Sequence, residues 1–233
     1  MASTPPTNEA FLREVDEELR RDQLAGFWRR WGRWLMLLLV AGLIAFGGSL
    51  WWQHDQNKKA EAQGEQMVQI LTDLEAGRSN GVEARLKPLA ESENAGYRTT
   101  ARLTLASMKQ QAGDLKGAAA GYQAVVNDTS APAPFRDLAL IRQTAAEYDT
   151  LKPQQVIDRL KPLAVAGNPW FGSAGEMVAV AHLNMNKPEL AGPLFAAISK
   201  DEGVPETIRS RAVQMAGVLG IDAVDQTSGD KKE

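Results

Sequence analysis

The 233-residue chain offers little material for side-chain chemistry: it has two histidines, His54 and His182, and no cysteine. Thiolate nucleophiles, thiolate metal sites and disulfides are thereby excluded. His54 stands beside Asp55 just past an apolar run, where an interfacial polar residue is the expectation. His182, near Asn184 and Asn186, has no second histidine close in sequence and reads as a satisfied surface or groove residue. Carboxylates come in pairs such as Glu61 and Glu65, Glu91 and Glu93, or Asp201 and Glu202, at spacings of helix surfaces, which gives paired-acid catalysis no specific support. Neither a phosphate-binding glycine loop, a dinucleotide fingerprint nor a serine elbow occurs. The glycosylation-like triplet Asn127, Asp128, Thr129 is too short to carry weight. The expectation is a protein without catalytic residues, bound metal or cofactor, and not an enzyme.

The elements that carry these residues are more informative. Apolar residues make up 44% of the chain and charged ones 24%, as in folded proteins, and a net charge of −3 supplies no basic field for nucleic acid. Residues 34–52, WLMLLLVAGLIAFGGSLWW, form an uncharged run. As a helix it would extend roughly 29 Å, the hydrocarbon thickness of a bilayer. Trp28, Trp31 and Trp34 precede the run and Trp51 and Trp52 close it, in the positions of interfacial anchors. A cleaved signal peptide has a shorter apolar core and a short basic start, whereas six acids and six arginines precede this run. An uncleaved anchor in membrane lipid is expected.

Arg20, Arg21, Arg29, Arg30 and Arg33 flank the run on its N-terminal side, against Lys58 and Lys59 on the other. The positive-inside rule keeps the N-terminus cytoplasmic and places the chain after Trp52 on the opposite side. Residues 8–31 read as a helix, with Phe11, Leu12, Val15, Leu19, Leu24, Phe27, Trp28 and Trp31 in an approximate stripe. That stripe is either an interfacial docking face or part of a solvated extension. Ala41, Ala45, Gly48 and Ser49 share one face of the span, where another helix could approach.

Beyond the span the chain repeats itself. RLKPLA at 85–90 recurs unchanged at 159–164, an offset of 74. An offset of 73 then pairs Tyr97 with Trp170, Ala101 with Ala174, Ala106 with Ala179, Ala118 with Ala191 and Tyr122 with Phe195. It continues through Pro132 with Pro205, Arg136 with Arg209 and Ala139 with Ala212. Turn signals divide the region into helices expected at 58–76, 82–91, 97–111, 115–126, 134–148, 153–164, 170–185, 188–199 and 205–219. No segment alternates with period two at strand length, so the expected fold class is all-α. The domains expected are a cytoplasmic amphipathic tail (1–33), a transmembrane helix (34–52), a repeat domain (53–219) and a disordered polar tail (220–233).

A block of this size holds two helix pairs and resembles tetratricopeptide repeats. The resemblance rests on Ala106, Gly113-Asp114, Ala118 and Tyr122, with Ala179, Ala191 and Phe195 in the second copy. In such a hairpin solenoid the alanines let helices A and B approach, Gly113 makes the turn and Tyr122 fills the space toward the next pair. Asn186 replaces the turn glycine, and asparagine tolerates the left-handed conformation. Two departures from the pattern stand out: Arg102 replaces the usual aromatic of helix A, and Ser130 occupies a frequent proline position. The register between 82–90 and 134–164 stays open.

Together with the tail segment FLREVDEELRRDQLAGFWRRWG at 11–32 and the single anchor, the chain resembles the YfgM-like family of ancillary SecYEG translocon subunits, in its alphaproteobacterial form. The resemblance implies a single-pass bacterial inner-membrane protein facing the periplasm. Its implied partners are SecYEG and the PpiD-type periplasmic chaperone, and its implied role is assisting unfolded, secreted polypeptides. It further implies a peptide groove on helix A, with Thr100, Leu103, Ser107, Gln110 and Gln111 in one copy and Ser173, Glu176, Val180 and Leu183 in the other. Core packing is the competing role for Leu103, Val180 and Leu183. Two other functions fit the same architecture: a scaffold for envelope or division complexes, and an inhibitory binder that holds a stress regulator through its cytosolic tail.

Overall fold

The computed structural model describes residues 7–222, with side chains from residue 30 onward. Among these residues there are nine α-helices and no strand: α1 (Thr7–Glu75), α2 (Val82–Ala90), α3 (Ala95–Gln111), α4 (Leu115–Val126), α5 (Ala133–Glu147), α6 (Pro153–Leu160), α7 (Phe171–Asn184), α8 (Pro188–Lys200) and α9 (Glu206–Val218). The side chains of the N-terminal stripe other than Trp31, and most flanking arginines, lie outside the described residues, as does the tail from 223 onward.

The three segments expected at 8–31, 34–52 and 58–76 are one helix, α1. No proline stands between Pro6 and Pro88, so nothing removes a backbone donor before the turn that follows Glu75. Two compact units divide the chain within α1, at 1–61 and 62–233. In the first, the helix is long and apolar enough to cross a membrane: an 18-residue window has mean hydropathy 2.0 with none of it buried. Leu38, Ile44 and Trp51 are each 70% exposed or more. Such a continuous exposed apolar surface is foreign to a helix in water.

The second unit starts at Ala62, inside α1. The last turns of α1 act as the first helix of a hairpin array. A helices (the end of α1, then α3, α5, α7 and α9) alternate with B helices (α2, α4, α6 and α8). Four separate cores follow one another, each built by an A helix, its B partner and the next A helix. Met67, Ile70, Val82, Leu86, Leu89 and Ala101 form the first. Ala106, Ala118, Tyr122, Val125 and Ala139 form the second. The third gathers Ile141, Val156, Leu160 and Ala174, and the fourth Phe171, Ala179, Ala191, Phe195 and Ala212. One hairpin alone would leave half of such a core in water. Full burial of a side chain the size of Phe195 stabilises by roughly 2–3 kcal/mol, so stacking is what holds each pair.

Four of the five A helices share an ending, which α5 lacks. At α3, Gly113 has φ +81, its N–H bonds Gln110 O, and Asp114 N–H reaches back to Lys109 O. At α7 the same two bonds run from Asn186, φ +59, to Leu183 O and from Lys187 to His182 O. This left-handed cap satisfies carbonyls that the helix end would orphan. The equivalent bonds close α1 at Gly77 and α9 at Gly220, so Gly220 and Ile221 complete the array instead of opening the polar tail: Ile221 N–H bonds Ala216 O and its side chain packs on the last core.

Candidate functional site

The A helices line one face of the array, and two depressions open there. One, of about 210 Å³, is bordered by Leu103, Thr104 and Ser107 of α3, Tyr122 of α4, and Leu138 and Arg142 of α5. The other, of about 330 Å³, lies between α5 (Ala145, Tyr148) and α7 (Glu176, Met177, Val180). Both are mostly apolar with a few polar groups, the composition of surfaces that take side chains of a partner. Burial pushes the Tyr148 phenol up, with Asp149 adding to it, so Tyr148 stays a neutral wall of the second depression.

Of the groove residues expected from sequence, Leu103 and Ser107 meet at the first depression and Glu176 and Val180 at the second. Leu103 also packs on the second core and Val180 on the fourth, so each serves both roles. Leu183 packs on the fourth core and borders neither depression. Thr100 donates its hydroxyl to Gly96 O within its own helix. Gln110 accepts the Tyr122 hydroxyl at 2.9 Å, which places it in packing. Gln111 is exposed at the last residue of α3, and Ser173 is half-buried near the start of α7. Glu176 receives two guanidinium bonds from Arg211 of α9, at 2.8 and 2.7 Å; that carboxylate in turn raises the Arg211 pKa.

The residues expected to carry packing are all placed at helix contacts or turns. Ala106, Ala118, Tyr122, Ala179, Ala191 and Phe195 are buried. A Cβ on Gly121 of α4 would come within 2.9 Å of Ala106 Cβ, a measure of how closely α3 and α4 approach.

The two departures from the repeat pattern belong to one network. Arg102 bonds Ala90 O at 3.0 Å and Asp128 at 3.1 Å, where the pattern has an aromatic. Ser130 donates its hydroxyl to Asp128 and accepts from Arg98, where the pattern has proline. Asp128 also takes Arg98 Nε at 3.1 Å. The Ser130 hydroxyl, with Arg98, holds its carboxyl down to about 2. Polar bonds thus fasten α3 to the α4–α5 loop.

The wall contributed by α5 was not visible in the sequence, because the register at 134–164 was open there. A signal existed: Ala101 and Ala106 of α3, Ala139 and Thr144 of α5, and Ala174 and Ala179 of α7 are buried small pairs at the same spacing. A second signal lay in the offset of 74. Arg85 of the repeated hexapeptide pairs with Asp73 at 2.5 Å, and its copy Arg159 pairs with Glu147. The two acids are themselves 74 apart, which marks the end of α1 and α5 as equivalents. His182 differs from its expectation, since its buried Nδ1 has no partner among the described residues and burial lowers its pKa. Among these residues no cluster of His, Asp or Glu has the makings of a metal site.

A family model described as a tetratricopeptide repeat-like domain matches residues 26–167, which takes in the apolar run and the array through α6. No curated protein and no solved structure shows a significant match. The matched stretch is more than half of the chain, so the chain belongs to the tetratricopeptide repeat-like family.

Proposed function

We propose that the chain is a membrane-tethered protein-binding module that holds extended segments of polypeptides emerging from the SecYEG channel. The observation that carries the binding role is the pair of depressions on the A-helix face, one on each side of α5. Helical-repeat arrays present such faces to peptides and helices. The exposed apolar window of α1 supports the tether, since its length and hydropathy suit a bilayer core.

Location and partners rest on the resemblance to YfgM-like subunits: a bacterial inner membrane, the array in the periplasm, and SecYEG with the PpiD-type chaperone as neighbours. In that setting an array tethered by one helix has a high effective concentration beside an exit channel, so weak contacts suffice to delay aggregation of a client.

The test is site-specific photocrosslinking in cells, with the reactive group at Ser107 or Val180 and, as a control, at exposed Gln123 of α4. The expected products are nascent secretory chains and translocon subunits, strongest from the A-helix positions. A single stable envelope partner would replace this function with that of a scaffold. Loss of function on exchanging only residues 11–30 would point to regulator binding through the tail.

A further inference from the structure

Helix α5 forms the ridge between the two depressions, with Leu138 and Arg142 walling one and Ala145 and Tyr148 the other. Arg142 and Glu176 border the depressions, with Arg211 bonded to Glu176 and Asp149 beside Tyr148. Glu176 and Arg211 neutralise each other through two parallel hydrogen bonds from the guanidinium to the carboxylate. Asp149 stands seven residues beyond Arg142, about 10 Å along the helix direction. Arg142 is exposed, and no carboxylate among the described residues pairs with it. An exposed guanidinium with no ion-pair partner among the described residues therefore walls the first depression, on the ridge between two aliphatic pairs, Leu103 with Leu138 and Met177 with Val180.

We infer that the groove selects segments in which an Asp or Glu sits between two aliphatic residues, its carboxylate on Arg142 and the aliphatic side chains in the two depressions. This inference rests on the proposed peptide-binding role of the face. Neighbouring packed helices lie about 8–10 Å apart, and the two walls, at Leu138 with Arg142 and at Ala145 with Tyr148, are offset by about 10 Å along α5, so the depressions are separated by roughly 13 Å. An extended chain advances about 3.3 Å per residue and turns alternate side chains to one face, which sets the two aliphatic residues four apart with the acid midway between them. Because the occupant must cross α5 to reach both depressions, the carboxylate belongs to an internal side chain and not to a chain terminus. A guanidinium recognises a carboxylate by paired, charge-assisted bonds, which a lysine or glutamine in the segment cannot return.

The test uses the full-length chain in detergent micelles and fluorescence anisotropy of labelled peptides, acetylated and amidated, with the core Leu-Gly-Glu-Gly-Leu. Companion peptides carry Gln or Lys in place of Glu. The Glu peptide is expected to bind about tenfold more tightly than the Gln peptide. Arg142→Gln should erase that difference, and Arg142→Glu should shift the preference to the Lys peptide. Since Arg142 is exposed, both variants should keep the wild-type circular dichroism. Equal binding of Glu and Gln peptides, with both lost in Val180→Glu, would overturn the acidic selection while leaving the groove standing. Binding that needs a free peptide C-terminus would also overturn it. Absence of binding by every peptide would remove the groove role together with this inference.

Discussion

Replacing Asp128 by Asn keeps the size of the side chain and removes one negative charge from the α3 to α4–α5 junction. In the native protein that carboxylate takes bonds from Arg98, Arg102, Ser130 N–H and the Ser130 hydroxyl, with 15% of its side chain exposed. Its pKa falls from 3.8 to about 2, owing first to the Ser130 hydroxyl and then to Arg98. At 1.36 kcal/mol per pH unit, the charged form contributes about 2 kcal/mol to folding at neutral pH. The sign follows from the direction: the folded group is the stronger acid, so the unfolded chain binds the proton first. The contribution is complete above about pH 4 and lost as pH falls toward about 2. Urea unfolding followed by far-UV circular dichroism, on wild type and Asp128→Asn across that range, gives the comparison. The gap should be about 2 kcal/mol at pH 7 and close toward zero at the acid end. The second copy supplies a control: Asp201 receives Gly203 N–H as Asp128 receives Ser130 N–H, but Phe171 and Gly175 stand where Arg98 and Arg102 do. Asp201→Asn should therefore cost less than about 1 kcal/mol. A gap for Asp128→Asn that stays constant between pH 7 and about pH 2 would refute a charge-based origin.

Ala118→Glu and Ala191→Glu each force a charge into a fully buried helix contact, and each should cost roughly 3 kcal/mol or more; wild-type thermal unfolding would refute the proposed repeat register. Asn186→Gly should stabilise by about 0.5 kcal/mol and Gly113→Ala should cost about 1 kcal/mol, both read by denaturant midpoint, because the left-handed backbone penalises a Cβ there while the space around Gly113 is open. A reporter fused after Glu233 should be active only outside the cytoplasm if the flanking arginines orient the span; cytoplasmic activity would reverse that topology.

The network around Asp128 also explains how one chain keeps a repeat fold while departing from its pattern. An aromatic on helix A and a proline in the loop would each fasten neighbouring elements by packing and chain stiffness. Arg102 and Ser130 do so by converging on one carboxylate. Two departures that look independent in the sequence are a coupled exchange of apolar for polar contact.

Local order along the chain alone placed the ends of α2 to α9 to within about four residues, since periodicity, proline and the left-handed turn residues act within a few residues of each other, whereas the three segments expected before Gly77 are one helix. The uncharged run at 34–52 and the offsets of 73 and 74 needed no coordinates either, because length, hydropathy and self-similarity are properties of the string. Tertiary structure decided what those helices meet. That the end of α1 is the first A helix, that α5 divides the binding face, and that Glu176 is neutralised by Arg211 all depend on contacts between residues 12 to 35 positions apart. Such contacts are set by how helix pairs stack upon each other, and the hydrophobic pattern, which records only that a face is buried, leaves open which neighbour buries it.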